Sequence, residues 1–319
     1  MSSSSSLPRL VPLFEIGSAQ LAPVLEAERA EWAASLDWDF EPALASLRYM
    51  LDNRVLPGVA VAVGDRGVGY AYYLFRDQRA LVGGLYFLPE FRDGDWPRLV
   101  LQRVFQELAR QPLARSIEGQ ILFPGPERSA GPLLRASGFQ FLERRFLRLE
   151  APAEHPLPPA PADLTLRPIP EGMLDDLALV MTHAYHGHVD ARTSSLYLSF
   201  DGCARLLQAL VLRGGCGPCE ASLSLMVAVR DTPAGAIVVS RISKGSFFIS
   251  QVFVHPRYQG QGIGRVLVGA VVNALARRHP GAGLSLTVSR DNTRAYDWYR
   301  RLGFADRLPH YAFMKLAGD

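Results

Sequence analysis

A chain of 319 residues with 48% hydrophobic and 20% charged residues exceeds the usual single domain and can fill a substantial core. Its formal charge of +3 selects no acidic partner, and no block of like charges is long enough to act as a nucleic-acid or membrane arm. Three cysteines are too few for a disulfide framework. The start, Met1 to Leu7-Pro8, lacks the basic and apolar regions of a secretory signal, and no later apolar run is long enough to span a bilayer. The expectation is a cytoplasmic protein with a frayed N-terminus.

In chain order, helical spacing over Leu21 to Trp32 and Phe40 to Leu51 precedes strand-like runs at Gly58 to Val63, Val68 to Phe75 and Arg79 to Leu88. A helix over Pro97 to Ala109, a strand over Ile117 to Phe123, a short helix ending near Ser137 and a strand over Phe139 to Leu149 follow. Residues 151–162, APAEHPLPPAPA, are a linker whose prolines fix φ, remove donors and favour an extended stretch over packed structure. Beyond it come a strand at Leu164 to Pro168, helices over Met173 to Tyr185 and Ala204 to Leu212, and strands at Leu223 to Arg230, Ala234 to Ile242 and Phe247 to Val254. Helix, strand, helix and strand complete the chain. Matching Pro89 to Pro256 nearly superposes Gly138-Phe139 on Gly303-Phe304, so 1–150 and 163–319 read as two copies of one domain.

The segment from Val252 to Arg265 carries the strongest chemical signal. Strand alternation stops at Pro256, glycines recur at 260, 262 and 264, and a helix begins at once, with Ile263, Val266, Leu267, Ala270, Val271, Ala274 and Leu275 on one stripe. A glycine turn at a helix N-terminus presents backbone N–H groups and the positive end of the dipole, which together suit a pyrophosphate. Hairpin-linked strands before it, and its late place in the domain, argue against a dinucleotide fold. Downstream, Asn292 is a good N-cap, Ala295, Trp298 and Leu302 share a helical face, and Gly303 is a natural stop.

Gln259-Gly260-Gln261-Gly262-Ile263-Gly264 resembles the Q/R-x-x-G-x-G/A signature of the GCN5-related N-acetyltransferase (GNAT) superfamily, and Asn292 to Phe304 resembles its N-x-x-A-x-x-x-Y-x-x-x-G-F segment. The resemblance implies an α/β fold of two tandem GNAT-like domains, each a mixed, mainly antiparallel twisted sheet flanked by helices. It implies acetyl-CoA as co-substrate, no metal, and direct attack of a neutral primary amine on the thioester. Val252, Phe253 and Val254 would line the pantetheine arm, with an N–H of Phe253 or Val254 serving the developing oxyanion. Gln259, Gly260, Gln261, Gly262, Ile263, Gly264 and Arg265 would hold the phosphates, Asn292 would bond the pantetheine, and Tyr299 would be the general acid. Gln251 stands near the end of the strand, where some relatives carry a glutamate, and cannot serve as a base. A water chain, His255 and a residue of the His183 to His188 segment remain open for that role, and none is needed if the amine arrives neutral.

The first half departs from both signatures. Arg92, Asp93, Asp95 and Pro97 stand against Gln259, Gly260, Gly262 and Gly264, and Glu127 and Leu134 against Asn292 and Tyr299, so this copy is expected to keep the packing and to bind no acetyl-CoA. Cys216-Gly217-Pro218-Cys219 matches a thioredoxin centre in letters, but follows a helix instead of opening one, which makes it a surface turn. The expected acceptor is a small-molecule amine, with His186, Asp190, Tyr197 and His310 as its wall. Protein N-terminal or lysine acetylation, aminosugar acetylation of the mycothiol-synthase type, a non-catalytic acyl-CoA-binding module and homodimerisation stay open.

Overall fold

In the computed structural model, which describes residues 7–317 apart from 112–113, 123–124, 158 and 160, the chain forms two compact units. The frayed start and Phe123, the expected end of a strand, lie outside those residues. The first unit comprises Met1–Arg144 with Leu308–Asp319, and the second comprises Arg145–Arg307.

Up to the linker the elements are β1 (Arg9–Pro12), α1 (Ser18–Leu36), α2 (Glu41–Asp52), β2 (Gly58–Val63), β3 (Arg66–Arg76), β4 (Arg79–Phe87), α3 (Trp96–Leu108), β5 (Ser116–Ile121), α4 (Pro126–Ser129), α5 (Gly131–Ala136) and β6 (Gln140–Leu149). After it come β7 (Leu164–Pro168), α6 (Leu174–Tyr185), α7 (Phe200–Leu212), β8 (Leu225–Val229), β9 (Thr232–Ser243), β10 (Ser246–Val254), α8 (Ile263–Arg278), β11 (Gly283–Ser289), α9 (Thr293–Arg301) and β12 (Ala305–Leu316). Helix α7 starts before its expected first residue because Ser199 Oγ accepts from Gly202 N and caps it.

A simple cut at the linker misses an exchange of final strands. In the first unit the sheet order is β1-β2-β3-β4-β5-β12, so its last strand is the C-terminus of the chain, with Tyr311 opposite Ile121 and Leu316 opposite Ser116. The ring of Phe313 lies where a Cβ on Gly119 would stand, and it meets Phe105 and Phe139 edge-on, which explains both the glycine and the fit of this strand. In the second unit the order is β7-β8-β9-β10-β11 followed by β6, whose residues from Arg145 onward belong there. Arg148 secures that strand by donating to Ser246 Oγ at 2.8 Å.

Two apolar layers cover the sheet of the second unit. Helix α8 buries Ile263, Leu267, Val268, Val271, Val272 and Leu275 against one face, while α6 and α7 bury Leu177, Met181, Cys203 and Leu207 against the other. Each such side chain contributes roughly 2 kcal/mol of apolar burial. The same alternation assigns the end of β10: Phe253 joins the α6–α7 layer, and Val252 and Val254 join the α8 layer.

At Glu154, His155 and Leu157 the proline-rich linker packs on α8, contrary to the expectation from its composition. Asn273 on α8 accepts from His155 N and donates to His155 O, both at 2.8 Å, pairing with the backbone as a strand neighbour would. Leu157 lies against Gly269, and Arg277 pairs with Glu154 at 2.6 Å. Proline removes donors, but the non-proline residues between keep theirs, and α8 supplies a partner. Among the described residues no helix is long and apolar enough to cross a membrane.

Candidate functional site

The parallel pairing of β10 with β11 runs from Ser246 opposite Gly283 to Ile249 opposite Leu286 and stops there. A bulge at Ser250 shifts the register of β10 against β9 at the same level, and β10 then continues to Val254 in regular pairing with β9. The two strands therefore part beyond Ile249 and Leu286 and leave an open edge on each.

The direction of the backbone groups on that edge follows from one bond. His255 N donates to Ala234 O at 2.8 Å, so in the alternation of an antiparallel ladder Phe253 and Gln251 also turn their N–H groups toward β9. Val252 and Val254 turn theirs toward the gap. Of the two N–H groups considered for an oxyanion, that of Phe253 is thus committed to the sheet and that of Val254 faces the open edge.

Past Val254 a 3-10 turn over Pro256–Tyr258 leads into the glycine loop. Gly260 has φ +80° with nothing within 4 Å of a built Cβ, and Gly262, the N-cap of α8, has φ +81°. Both occupy the left-handed region, where glycine carries no steric penalty. The first turn of α8 aims its N–H groups at this exposed hollow. The side chains of Gln259 and Gln261, both expected at the coenzyme, brace the turn: Gln259 Nε2 donates to Val254 O at 3.0 Å and Gln261 Nε2 to Arg257 O at 3.1 Å. Arg265 is exposed beside the loop, and Ile263 is buried under it.

Helix α9 brings the second signature to the same end of the sheet. Asn292 caps it by accepting from Ala295 N at 3.4 Å, which leaves the amide nitrogen as the atom able to reach a ligand. Gly303 ends the helix with φ +98°. Tyr299 is buried and meets Phe304 edge-on at 5.6 Å. Burial, and then the negative charge of Asp190, push its phenol well above the ordinary tyrosine range, so it stays protonated and can donate.

On the α6–α7 side the site is polar and ordered. Tyr185 Oη donates to Gln251 Oε1 and Gln251 Nε2 donates to Tyr197 Oη, both at 2.8 Å, while the two rings stack at 4.0 Å. Ser289, at the end of β11, donates to Asp190 Oδ1. His183 Nδ1 lies 3.1 Å from His255 Nε2, and His255 Nδ1 accepts from Arg257 N. Burial, followed by the charges of His183 and Arg257, lowers the pKa of His255. Of the expected acceptor wall, Asp190 and Tyr197 are brought together here, and His186 is exposed at the end of α6. His310 drops out of that wall: it is fully buried on β12 in the first unit, where burial and then Arg144 hold its imidazole neutral. Tyr185 and Ser289 were not singled out from sequence, because a helix-end tyrosine and a strand-end serine carry no spacing signal.

The cysteine turn is half-buried and not a plain surface feature. Cys219 bridges Ser240 and lies 3.3 Å from Ser224 Oγ, and burial raises the Cys216 thiol to about 11. Among the described residues, no group of three or more His, Cys, Asp or Glu is placed to hold a metal ion.

The parted strands, the glycine loop at a helix N-terminus and the protonated buried tyrosine are features of one unit, and the N–H groups of the loop and helix suit an anionic group. Residues 208–304 match the model of the Acetyltransferase (GNAT) family. This match is consistent with the GNAT superfamily, and the fold over the whole chain resembles that of tandem GNAT proteins. It resembles a GCN5-related N-acetyltransferase from Sphaerobacter thermophilus, with TM-score 0.63 and 19% identity over 97% of this chain and 95% of that one. A tandem GNAT protein from the clavulanic acid biosynthesis pathway matches with TM-score 0.58 and 18% identity over 98% and 99% of the two chains. At such identities the likeness concerns the fold alone. No match was found among curated proteins.

Proposed function

We propose that the second unit is an acetyl-CoA-dependent N-acetyltransferase that acetylates the primary amine of a small, soluble acceptor, and that the first unit binds no coenzyme. The observation that carries this reading is the glycine loop, with Gly260 and Gly262 at positive φ, set between the open edge of β10 and the N-terminus of α8.

The coenzyme would supply the acetyl thioester. The backbone from Gly260 to Arg265 would hold its diphosphate, and the open edge at Val252 and Val254 its pantetheine, with Asn292 adding an amide donor. Val254 N–H stands where charge on the carbonyl oxygen can be stabilised, and Tyr299 keeps a proton for the departing sulfur. Tyr185 and Tyr197, bonded to Gln251 on β10, and Asp190, bonded to Ser289 on β11, would line the acceptor side with hydroxyl and carboxylate groups able to receive an amine.

The first unit has the same parting of strands, since β4 and β5 pair only from Arg79 opposite Ser116 to Val82 opposite Gly119. Its loop is chemically opposed to a diphosphate. Pro97 is buried in the first turn of α3 and has no N–H, and Asp93 and Asp95 add negative charge. Calorimetry of the full chain with acetyl-CoA, together with thiol release over a panel of primary amines, tests the reading. Saturable uptake and amine-dependent thiol release are expected; no uptake by the intact chain would overturn it.

A further inference from the structure

We infer that Gln251 and Ser289 are positioning residues for the acceptor, seating the α6–α7 connection across the two parted strands. The inference rests on the acetyltransferase reading and adds to it the residues that set acceptor recognition.

The connection, residues 186–199, would otherwise hang over the gap between β10 and β11. It has a polar foot on each strand. On β10 the foot is Gln251, 8% exposed, which takes the proton of Tyr185 on its oxygen and gives one of its own to Tyr197. On β11 it is Ser289, 1% exposed, whose hydroxyl donates to Asp190. Asp190 is held from its own side as well, with its N–H on His188 Nδ1 at 3.1 Å and its carbonyl accepting from Thr193 Oγ1 at 2.7 Å. Both feet stand past the last parallel pair, Ile249 with Leu286, so they span the gap where it opens.

The chemistry of the first foot is directional. A carboxamide between two phenols has one acceptor and one donor end, and Tyr197 receives a hydrogen bond from Gln251 and does not give one to it. A carboxylate in the same place would accept from both phenols and turn the Tyr197 hydroxyl proton toward itself. The residue at 251 thereby sets which way Tyr197 presents its hydroxyl, and with it which amines the wall favours. A buried amide deprived of both partners would also leave two tyrosines without their bonds, which makes the seat costly to vacate.

The test uses the full-length protein. Gln251→Met removes both bonds at similar volume, Gln251→Glu keeps the bond from Tyr185 and loses the donor to Tyr197, Ser289→Ala removes the second foot, and Ser289→Thr restores it. With the best amine of the panel, Gln251→Met and Ser289→Ala should raise the acceptor KM about tenfold or more while kcat falls less than about threefold and acetyl-CoA affinity stays within about twofold. Ser289→Thr should recover the wild-type KM, and Gln251→Glu should reorder the amine panel. Independently of any acceptor, amide hydrogen exchange in residues 186–198 should accelerate about tenfold in Gln251→Met and Ser289→Ala, with α8 unchanged. Unaltered exchange over 186–198, acceleration spread evenly through the second unit, or equal changes in kcat and in both KM values would each sink the inference. Failure of the wild-type protein to take up acetyl-CoA would instead strike the acetyltransferase reading, and the exchange measurement would still decide whether the two feet hold the connection.

Discussion

Arg92 and Gln259 hold the same place in the two units and make the same bond: Arg92 Nε donates to Phe87 O at 2.8 Å, and Gln259 Nε2 donates to Val254 O at 3.0 Å. Each ties the turn after its strand, β4 or β10, back to the end of that strand. The rest of the arginine then goes elsewhere. Its guanidinium pairs with Glu31 at 2.5 Å and covers the ring of Tyr86 at 4.8 Å, so the first unit spends on an internal ion pair the residue that opens its loop.

One coenzyme per chain is the expected stoichiometry in calorimetry. Gly262→Val should abolish it, because the position has φ +81° and an added Cβ would come within 2.9 Å of Pro159 O. The left-handed backbone costs a β-branched residue about 1–2 kcal/mol, which favours a shifted loop, and the added side chain obstructs the N-terminus of α8 as well. Uptake of two molecules, or undiminished uptake by the variant, would place the coenzyme somewhere other than the Gly260–Gly264 loop.

Tyr299→Phe should lower kcat by about 10–100-fold and leave acetyl-CoA affinity nearly unchanged, since the hydroxyl is needed for proton donation and not for holding the ligand. Burial and Asp190 both raise the phenol, so no loss of rate from its deprotonation is expected up to about pH 10. Asp190→Asn removes only the smaller of the two causes, so burial should still hold the phenol above its ordinary value and kcat at saturating amine should show no alkaline limb from Tyr299 below about pH 10. A full rate in the phenylalanine variant would end the acid assignment.

A chain ending at Phe304 loses β12 and with it the partner of β5 in the first unit. The unpaired edge from Ser116 to Ile121, and the absence of Phe313 from its contacts with Gly119, Phe105 and Phe139, should unfold or aggregate that unit. Removing one such buried phenylalanine costs about 3–5 kcal/mol by itself. Size-exclusion chromatography and near-ultraviolet circular dichroism read the result; a monomeric, native-like truncation would show that β12 is dispensable.

Local physics made the helices, the hairpin strands and the glycine loop legible, because periodicity, glycine spacing and capping act within a few residues. Asn292 and Gly303 were readable for that reason. The exchange of β6 and β12 was not, since pairing of Tyr311 with Ile121 is long-range and neither strand differs in pattern from one that stays at home. Asn273 shows what the eye passes over: a polar residue at a buried position of α8 is a sign of a partner, and its partner is the backbone of a segment that proline content marks as unstructured. Gln251 was readable as a poor base, but its role between two tyrosines required the fold to bring Tyr185 and Tyr197 to it.

The stability of the first unit should fall as pH rises through neutrality, because of Glu28. This carboxyl is buried in α1, accepts from Tyr70 Oη at 2.5 Å, and is raised by burial, against the opposing bond from Tyr70, from 4.5 to about 7. A folded-state pKa above the unfolded one contributes stability that is fully present below about pH 4.5 and is lost as pH climbs through 7. The span corresponds to on the order of 3 kcal/mol. Glu28→Gln keeps an acceptor for Tyr70 and cannot ionise, so it should match the wild type near pH 4.5 and exceed it near pH 8. Urea unfolding followed by tryptophan fluorescence suits the measurement, since Trp32 on α1 stacks on Phe40 at 4.5 Å and reports on this unit. Parallel pH profiles for the two proteins would show that Glu28 titrates as an ordinary carboxylate and that its burial costs the unit nothing.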